Sequence, residues 1–301
     1  MGGSESMANR EYNGHRNSIG IDNRSQMTDD ASQNPGPTPA VEITGLTRRF
    51  GSLTAVDNLD LSVSPRSIFG LLGSNGAGKT TTIKMLTTML APNAGKALVA
   101  GYDVVKNPVQ VRRVIGYVSQ MLSADGALTG YENLLLFARI YGIPWRERKA
   151  RIADALDFMD LTEAGKMLVK HYSGGMIRRL EIAQSMLHRP QVLFLDEPTI
   201  GLDPVARHAV WQHLRDLRDR FGTTILMTTH DMEEADHLCE LIAIMHSGRI
   251  VANGSPESLK ASVAPGADLD AVFLHFAGGE FDKGGGYKSI SQSRRTARRM
   301  G

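Results

Sequence analysis

The sequence predicts an α/β fold: a mixed sheet core, an antiparallel β portion near its start and a helical insertion in its middle. Three observations carry this. In the C-terminal half, short apolar runs at residues 192–195, 224–227 and 241–245 alternate with helix-patterned stretches, as parallel strands joined by crossover helices do. Between residues 67 and 90 an apolar run, a glycine-rich loop and a helical pattern follow one another. Near the start, Val41 and Ile43, then Leu59, Leu61 and Val63, alternate in period two, the mark of antiparallel strands with one wet face.

The glycine-rich loop is the most specific of these. Gly73-Ser74-Asn75-Gly76-Ala77-Gly78-Lys79-Thr80 fits G-x-x-x-x-G-K-[ST] without a gap. Its glycines let the chain wrap tightly enough to aim successive N–H groups at phosphate oxygens. Lys79 then reaches the β- and γ-phosphates, and the Thr80 hydroxyl suits a magnesium ion. From Thr81 on, Ile83, Leu86, Met89 and Leu90 recur at helical spacing, so a helix N-terminus points at the anion.

The middle of the chain reads as helical, with Ile152, Leu156 and Met159 on one face and Met176, Leu180, Ala183 and Leu187 on another. Residues 192–197 form an apolar strand ending in Asp196 and Glu197. At the C-terminal edge of a parallel sheet such a pair lies beside the phosphate loop. Asp196 then suits the magnesium shell, and Glu197 the polarisation of an attacking water. His230 ends the run 224–229 and admits two readings: a donor to the γ-phosphate, or a surface histidine at a helix entry where Asp231 and Glu234 form a capping box. Ser173-Gly174-Gly175 opens an amphipathic helix. It reads equally as an N-cap worth roughly 1 kcal/mol or as a second anion site.

Composition sets the outer bounds. A chain of 301 residues holds one large domain or two small ones, and a net charge of +2 gives no global argument for nucleic acid. Its one cysteine, Cys239, cannot form an internal disulfide and suits a reducing cytosol. No stretch nears the roughly 20 apolar residues of a membrane span, and the N-terminus lacks the apolar core of a secretion signal. A soluble chain is expected, reaching any membrane through a partner. Residues 1–40, rich in Ser, Asn, Gly and Pro, are expected to be disordered. So is the basic tail at 280–301, with Lys288, Arg294, Arg295, Arg298 and Arg299. That tail suits anionic lipid or RNA, or simply water.

With these motifs together, the chain resembles the nucleotide-binding subunit of an ATP-binding cassette (ABC) transporter over residues 41–279. Five motifs stand in the family's order: the phosphate loop, Tyr117-Val118-Ser119-Gln120, Tyr172-Ser173-Gly174-Gly175-Met176, Leu195-Asp196-Glu197-Pro198, and Thr229-His230. The resemblance implies a P-loop NTPase of the ABC type. An ATP-binding domain at 41–255 would carry a helical subdomain at about 121–185, with a short extension at 256–279. It implies ATP and Mg2+ as ligands, Gln120 as the loop glutamine that meets magnesium, and Phe50 as the aromatic that stacks on adenine. Asp203, in Gly201-Leu202-Asp203-Pro204, falls in the loop after the catalytic glutamate, where it also suits an N-cap with Pro204 at N1. Lys79, Glu197 and His230 make up the implied catalytic set.

The resemblance further implies a symmetric dimer in which Ser173, Gly174 and Gly175 of one subunit complete the nucleotide site of the other. A separate transmembrane permease would carry the cargo, with the dimer on the cytoplasmic face of the membrane. The family's commonest signature is Leu-Ser-Gly-Gly-Gln, and Tyr172 and Met176 depart from it. The variant, followed by Arg178-Arg179-Leu180, is similar to the daunorubicin-resistance and nodulation branch of exporters, as is the segment 269–274. The rival within the family is a soluble ATPase acting on nucleic acid or ribosomes. Such proteins usually carry two cassettes or a long coiled-coil insertion, and this chain has neither, so no nucleic-acid partner is expected.

Overall fold

The computed structural model describes residues 38–278, so the expectations for residues 1–37 and for the basic tail fall outside the described residues. The chain begins with β1 (Val41–Phe50), β2 (Leu53–Val63) and β3 (Ile68–Leu72), then α1 (Lys79–Leu86), β4 (Ala94–Val99) and β5 (Tyr102–Asp103). After α2 (Pro108–Val114) and β6 (Ile115–Val118) come α3 (Gly130–Ile140), α4 (Trp145–Phe158) and α5 (Gly174–Met186). The last part runs through β7 (Val192–Asp196), α6 (Pro204–Phe221), β8 (Thr224–Thr229), α7 (Met232–Leu238), β9 (Leu241–His246) and β10 (Arg249–Gly254). It closes with α8 (Pro256–Val263) and α9 (Leu269–Ala277).

Two sheets result. One has the order β2-β1-β4-β5 and is antiparallel. The other has the order β10-β9-β3-β8-β7-β6, parallel except where β10 returns along β9. The central strands β3, β7 and β8 are buried at every residue, which is why they read as continuous apolar runs rather than alternating ones. Their side chains still alternate. Ile68, Leu193, Leu195, Ile225 and Met227 enter the core shared with the helices, while Phe69, Leu71, Phe194 and Leu226 enter the core against β1, β2 and α1. A Cβ on Gly70 in β3 would lie 2.7 Å from the Cys239 sulfur, so any larger residue there would force Cys239 to move.

Period two in β1 and β2 sets the register Val41↔Val63, Ile43↔Leu61 and Leu46↔Leu59, with irregularities after Ile43. There Gly45 turns to φ +59° and donates its N–H to Asp60 Oδ1 at 2.8 Å. The helix expected from Thr81 to Leu90 begins at Lys79 and stops at Leu86. Thr88 adopts φ +64°, and the N–H groups of Met89 and Leu90 fold back onto Lys84 O. Met89, expected on the buried face, is therefore exposed. Ile152, Leu156 and Met159 are buried together, as are Leu180, Ala183 and Leu187. Met176, in the first turn of α5, is only half-buried.

Candidate nucleotide-binding site

The loop between β3 and α1 is shaped by its glycines. Gly73 donates its N–H to Thr229 O at 3.2 Å, and a Cβ on it would lie 2.5 Å from Met245 O. Gly78 sits at φ +106°, where a Cβ would meet Ala55 O at 2.4 Å. Gly76, at φ +83°, faces open space. With Gly78 as N-cap, α1 has no side-chain cap, so the helix start presents N–H groups without a side-chain acceptor. This is a cradle for an anion, closed to side chains on its inner wall and open on its outer one.

Lys79 is buried, and its Nζ donates to Gly73 O at 2.8 Å and Ser74 O at 3.2 Å. It also stands 3.3 Å from Glu197 Oε1. Burial pulls its pKa down, and Glu197, then Asp196, oppose that pull. Thr80 Oγ1 donates to Asp196 Oδ1 at 3.1 Å, and Thr228 Oγ1 donates to the same oxygen at 2.5 Å. A hydroxyl and a carboxylate oxygen so close are hard donors of the kind magnesium takes beside phosphate oxygens.

Glu197 is the point of convergence. Its backbone is left-handed at φ +50°, held by N–H bonds to Thr228 O at 3.2 Å and Thr228 Oγ1 at 3.0 Å. A non-glycine residue keeps such a conformation only where its surroundings impose it. Its carboxylate meets Lys79 on one oxygen. On the other it meets His230 Nδ1 at 3.2 Å and Gln120 Nε2 at 3.5 Å. Residues from β3–α1, from the loop after β6, and from the ends of β7 and β8 are thus brought to one sheet edge.

Phe50 is exposed at the end of β1, with the Arg48 guanidinium 4.6 Å from its ring centroid. Its hairpin backs onto the phosphate loop through Ala55 at Gly78. Ser173 caps α5, its side chain accepting from Met176 N at 3.3 Å. Gly175 packs so closely on α6 that a Cβ would lie 2.7 Å from that of Ala206. No hydrogen bond or ion pair among the described residues joins Ser173, Gly174 or Gly175 to Lys79 or Glu197. Asp203 caps α6, accepting from Ala206 N at 3.0 Å, with Pro204 at the first helical position.

The family model that describes the ABC transporter matches residues 56–200. The daunorubicin/doxorubicin resistance ATP-binding protein DrrA of Streptomyces peucetius is 46% identical over 244 residues, covering 81% of this chain and 73% of the relative. The chain belongs to the ABC transporter ATP-binding subunits. The Nod factor export ATP-binding protein I of Ralstonia nicotianae is 43% identical over 231 residues, covering 75% of this chain and 72% of that one. A solved ATP-binding subunit of an ABC transporter superposes with a TM-score of 0.71 at 28% identity, over 79% of this chain and 99% of its own. As an ABC subunit the protein binds ATP and hydrolyses it to drive transport through a separate membrane component. Among the described residues no helix is long and apolar enough to cross a membrane.

One sequence expectation beside the candidate site needs correction. Asp231 does cap α7, accepting from the N–H groups of Glu233 and Glu234, but Glu234 does not return to complete a capping box. It is buried, and its Oε1 accepts from Thr199 Oγ1 at 2.7 Å and Trp211 Nε1 at 3.1 Å. Desolvation pushes its pKa up against these bonds. The carboxyl thereby ties the chain after Glu197 to the helix after His230, a role local sequence does not announce. Thr228 is a further residue of the candidate site that the motifs do not include: its hydroxyl donates to Asp196 and accepts from the Glu197 N–H. Its one signal is a hydroxyl at the buried end of an apolar strand.

Proposed function

We propose that this chain powers export of an apolar compound as a homodimer bound to a transmembrane permease at the cytoplasmic face of the membrane. The observation that carries the reading is the convergence of Lys79, Gln120 and His230 on the Glu197 carboxylate. The names of the relatives, drug resistance and Nod factor export, point toward outward transport. The loop residues Gly73, Ser74, Asn75, Gly76, Ala77, Gly78, Lys79, Thr80 and Thr81 wrap the phosphates, and Phe50 stacks on the base. Thr80 and Asp196, with Gln120 beside them, would hold magnesium, which supplies charge neutralisation for the phosphate oxygens.

Glu197 orients and takes a proton from the attacking water, while His230 donates to the γ-phosphate. Lys79 exchanges its Glu197 partner for phosphate oxygens, freeing the carboxylate for the water. Ser173, Gly174 and Gly175 of the second copy close over the γ-phosphate, and Asp203 lines the same junction. Hydrolysis removes the charge that both helix N-termini share, so the two copies separate and the permease changes state.

The test is Glu197→Gln in the full chain. No turnover and an ATP-dependent dimer on gel filtration support the reading. Turnover at the wild-type rate removes Glu197 from its role, and a monomer at saturating ATP removes the dimer.

A further inference from the structure

Arg178 lies in the second turn of α5, five residues after Ser173, and is 1% exposed. Its guanidinium reaches the loop after β6. Nη1 donates to Ser119 O at 2.7 Å, and Nη2 donates to Gln120 O at 2.9 Å. Nη1 also stands 3.0 Å from Glu181 Oε2, one helical turn on. Glu181 is buried as well, and its Oε1 accepts from the Ser123 N–H and from Ser123 Oγ, the latter at 3.1 Å. One ion pair on one helix face therefore grips the stretch 119–123 at both ends.

Stability alone does not account for this arrangement. A buried ion pair gives up so much hydration that well-packed apolar residues of similar volume are often as stabilising. What apolar residues cannot do is fix two successive carbonyls. The planar fork of arginine serves both at once, whereas an ammonium is a point donor. The gripped stretch contains Gln120, whose amide touches Glu197. The gripping helix is capped by Ser173, about 7.5 Å away along its axis.

We propose that Arg178, braced by Glu181, is a positioning residue that transmits the setting of the Ser173 end of α5 to Gln120, and so to Glu197 of the same subunit. This rests on the reading that Ser173 serves the partner's nucleotide. Each copy then learns through Arg178 whether it is holding the other's ATP. Hydrolysis at the two sites becomes cooperative without contact between the two carboxylates.

The experiment measures kcat, KM and Hill coefficient for ATP, with thermal unfolding, in full-length Arg178→Met/Glu181→Leu and in Arg178→Lys. The apolar pair keeps the packing volume but leaves the Ser119 and Gln120 carbonyls and the Ser123 N–H without these partners, so the melting temperature is expected to fall while the chain stays folded. KM is expected to remain within about twofold, because the phosphate loop is untouched. kcat is expected to fall about ten- to a hundredfold, as for a reacting group slightly misplaced, and the Hill coefficient to drop toward one. Arg178→Lys shifts both in the same direction, and it decides the matter if the double variant does not fold. Wild-type kcat and Hill coefficient in either folded variant overturn the proposal, whatever happens to the melting temperature. Glu197→Gln run alongside separates the two failures. A monomer at saturating ATP sinks the dimer reading and the coupling with it, whereas an ATP-bound dimer beside unaltered Arg178→Lys kinetics sinks only the role of Arg178.

Discussion

Lys79 Nζ stands 3.3 Å from Glu197 Oε1, with both side chains more than nine-tenths buried. Each charge is thus compensated by the other, and the removal of either leaves an unpaired buried ion. Glu197→Gln keeps an acceptor for Lys79 but loses the carboxylate proposed as the base. Hydrolysis should fall by about 10²- to 10⁴-fold, with ATP affinity changed little, as read by a phosphate-release assay and a fluorescent ATP analogue. Lys79→Ala should instead abolish binding, and it should lower the melting temperature because Glu197 is left without its cation.

The glycines of the loop separate two kinds of constraint. Gly76→Ala introduces only the strain of a positive φ, on the order of 1 kcal/mol, since nothing lies near its Cβ position. Gly78→Ala adds a collision with Ala55 O. It should be clearly less stable than Gly76→Ala in urea unfolding, and should lose ATP binding as the loop shifts.

The base platform proposed at Phe50 can be tested separately from the fold. Because its ring is exposed, Phe50→Ala should leave the melting temperature within a degree or two. Loss of base stacking is worth about 1–3 kcal/mol, so affinity for ATP should drop about five- to a hundred-and-fiftyfold. Affinity for inorganic triphosphate, which has no base, should not change.

Glu234 carries a pH signature. Its carboxyl titrates higher in the folded protein than in the unfolded chain, chiefly through burial. The folded state therefore holds the proton over a range where the unfolded state has lost it, and stability falls as pH rises through that window from about 4.5 upward. Glu234→Gln mimics the protonated carboxyl, keeping an oxygen for Thr199 and Trp211. Its melting temperature relative to wild type should climb between pH 4 and pH 8, and a difference that stays flat would contradict the assignment.

Much of the site was legible because its determinants are local. The phosphate loop encodes its own backbone in Gly76 and Gly78, and Asp196 and Glu197 follow directly on an apolar strand. What stayed hidden depends on distant partners. Glu234 finds Thr199 and Trp211, 35 and 23 residues away, and Arg178 finds Ser119 across 59 residues. In sequence both look like ordinary polar positions on amphipathic helices. The early end of α1 was equally unreadable, since apolar spacing continues through Leu90 while the backbone has already turned at Thr88.

The central claim is that two copies share each hydrolytic site, and mixing two dead variants tests it most directly. Lys79→Ala ruins the chain's own phosphate loop, and Ser173→Arg ruins what it lends to the other. Alone, each should be inactive. Mixed, they should form heterodimers in which one site has an intact Lys79 and an intact Ser173 from different chains, so ATP turnover should rise well above the sum of the separate activities. If Ser173→Arg hydrolyses ATP unaided and mixing adds nothing, each chain works alone and the account is wrong.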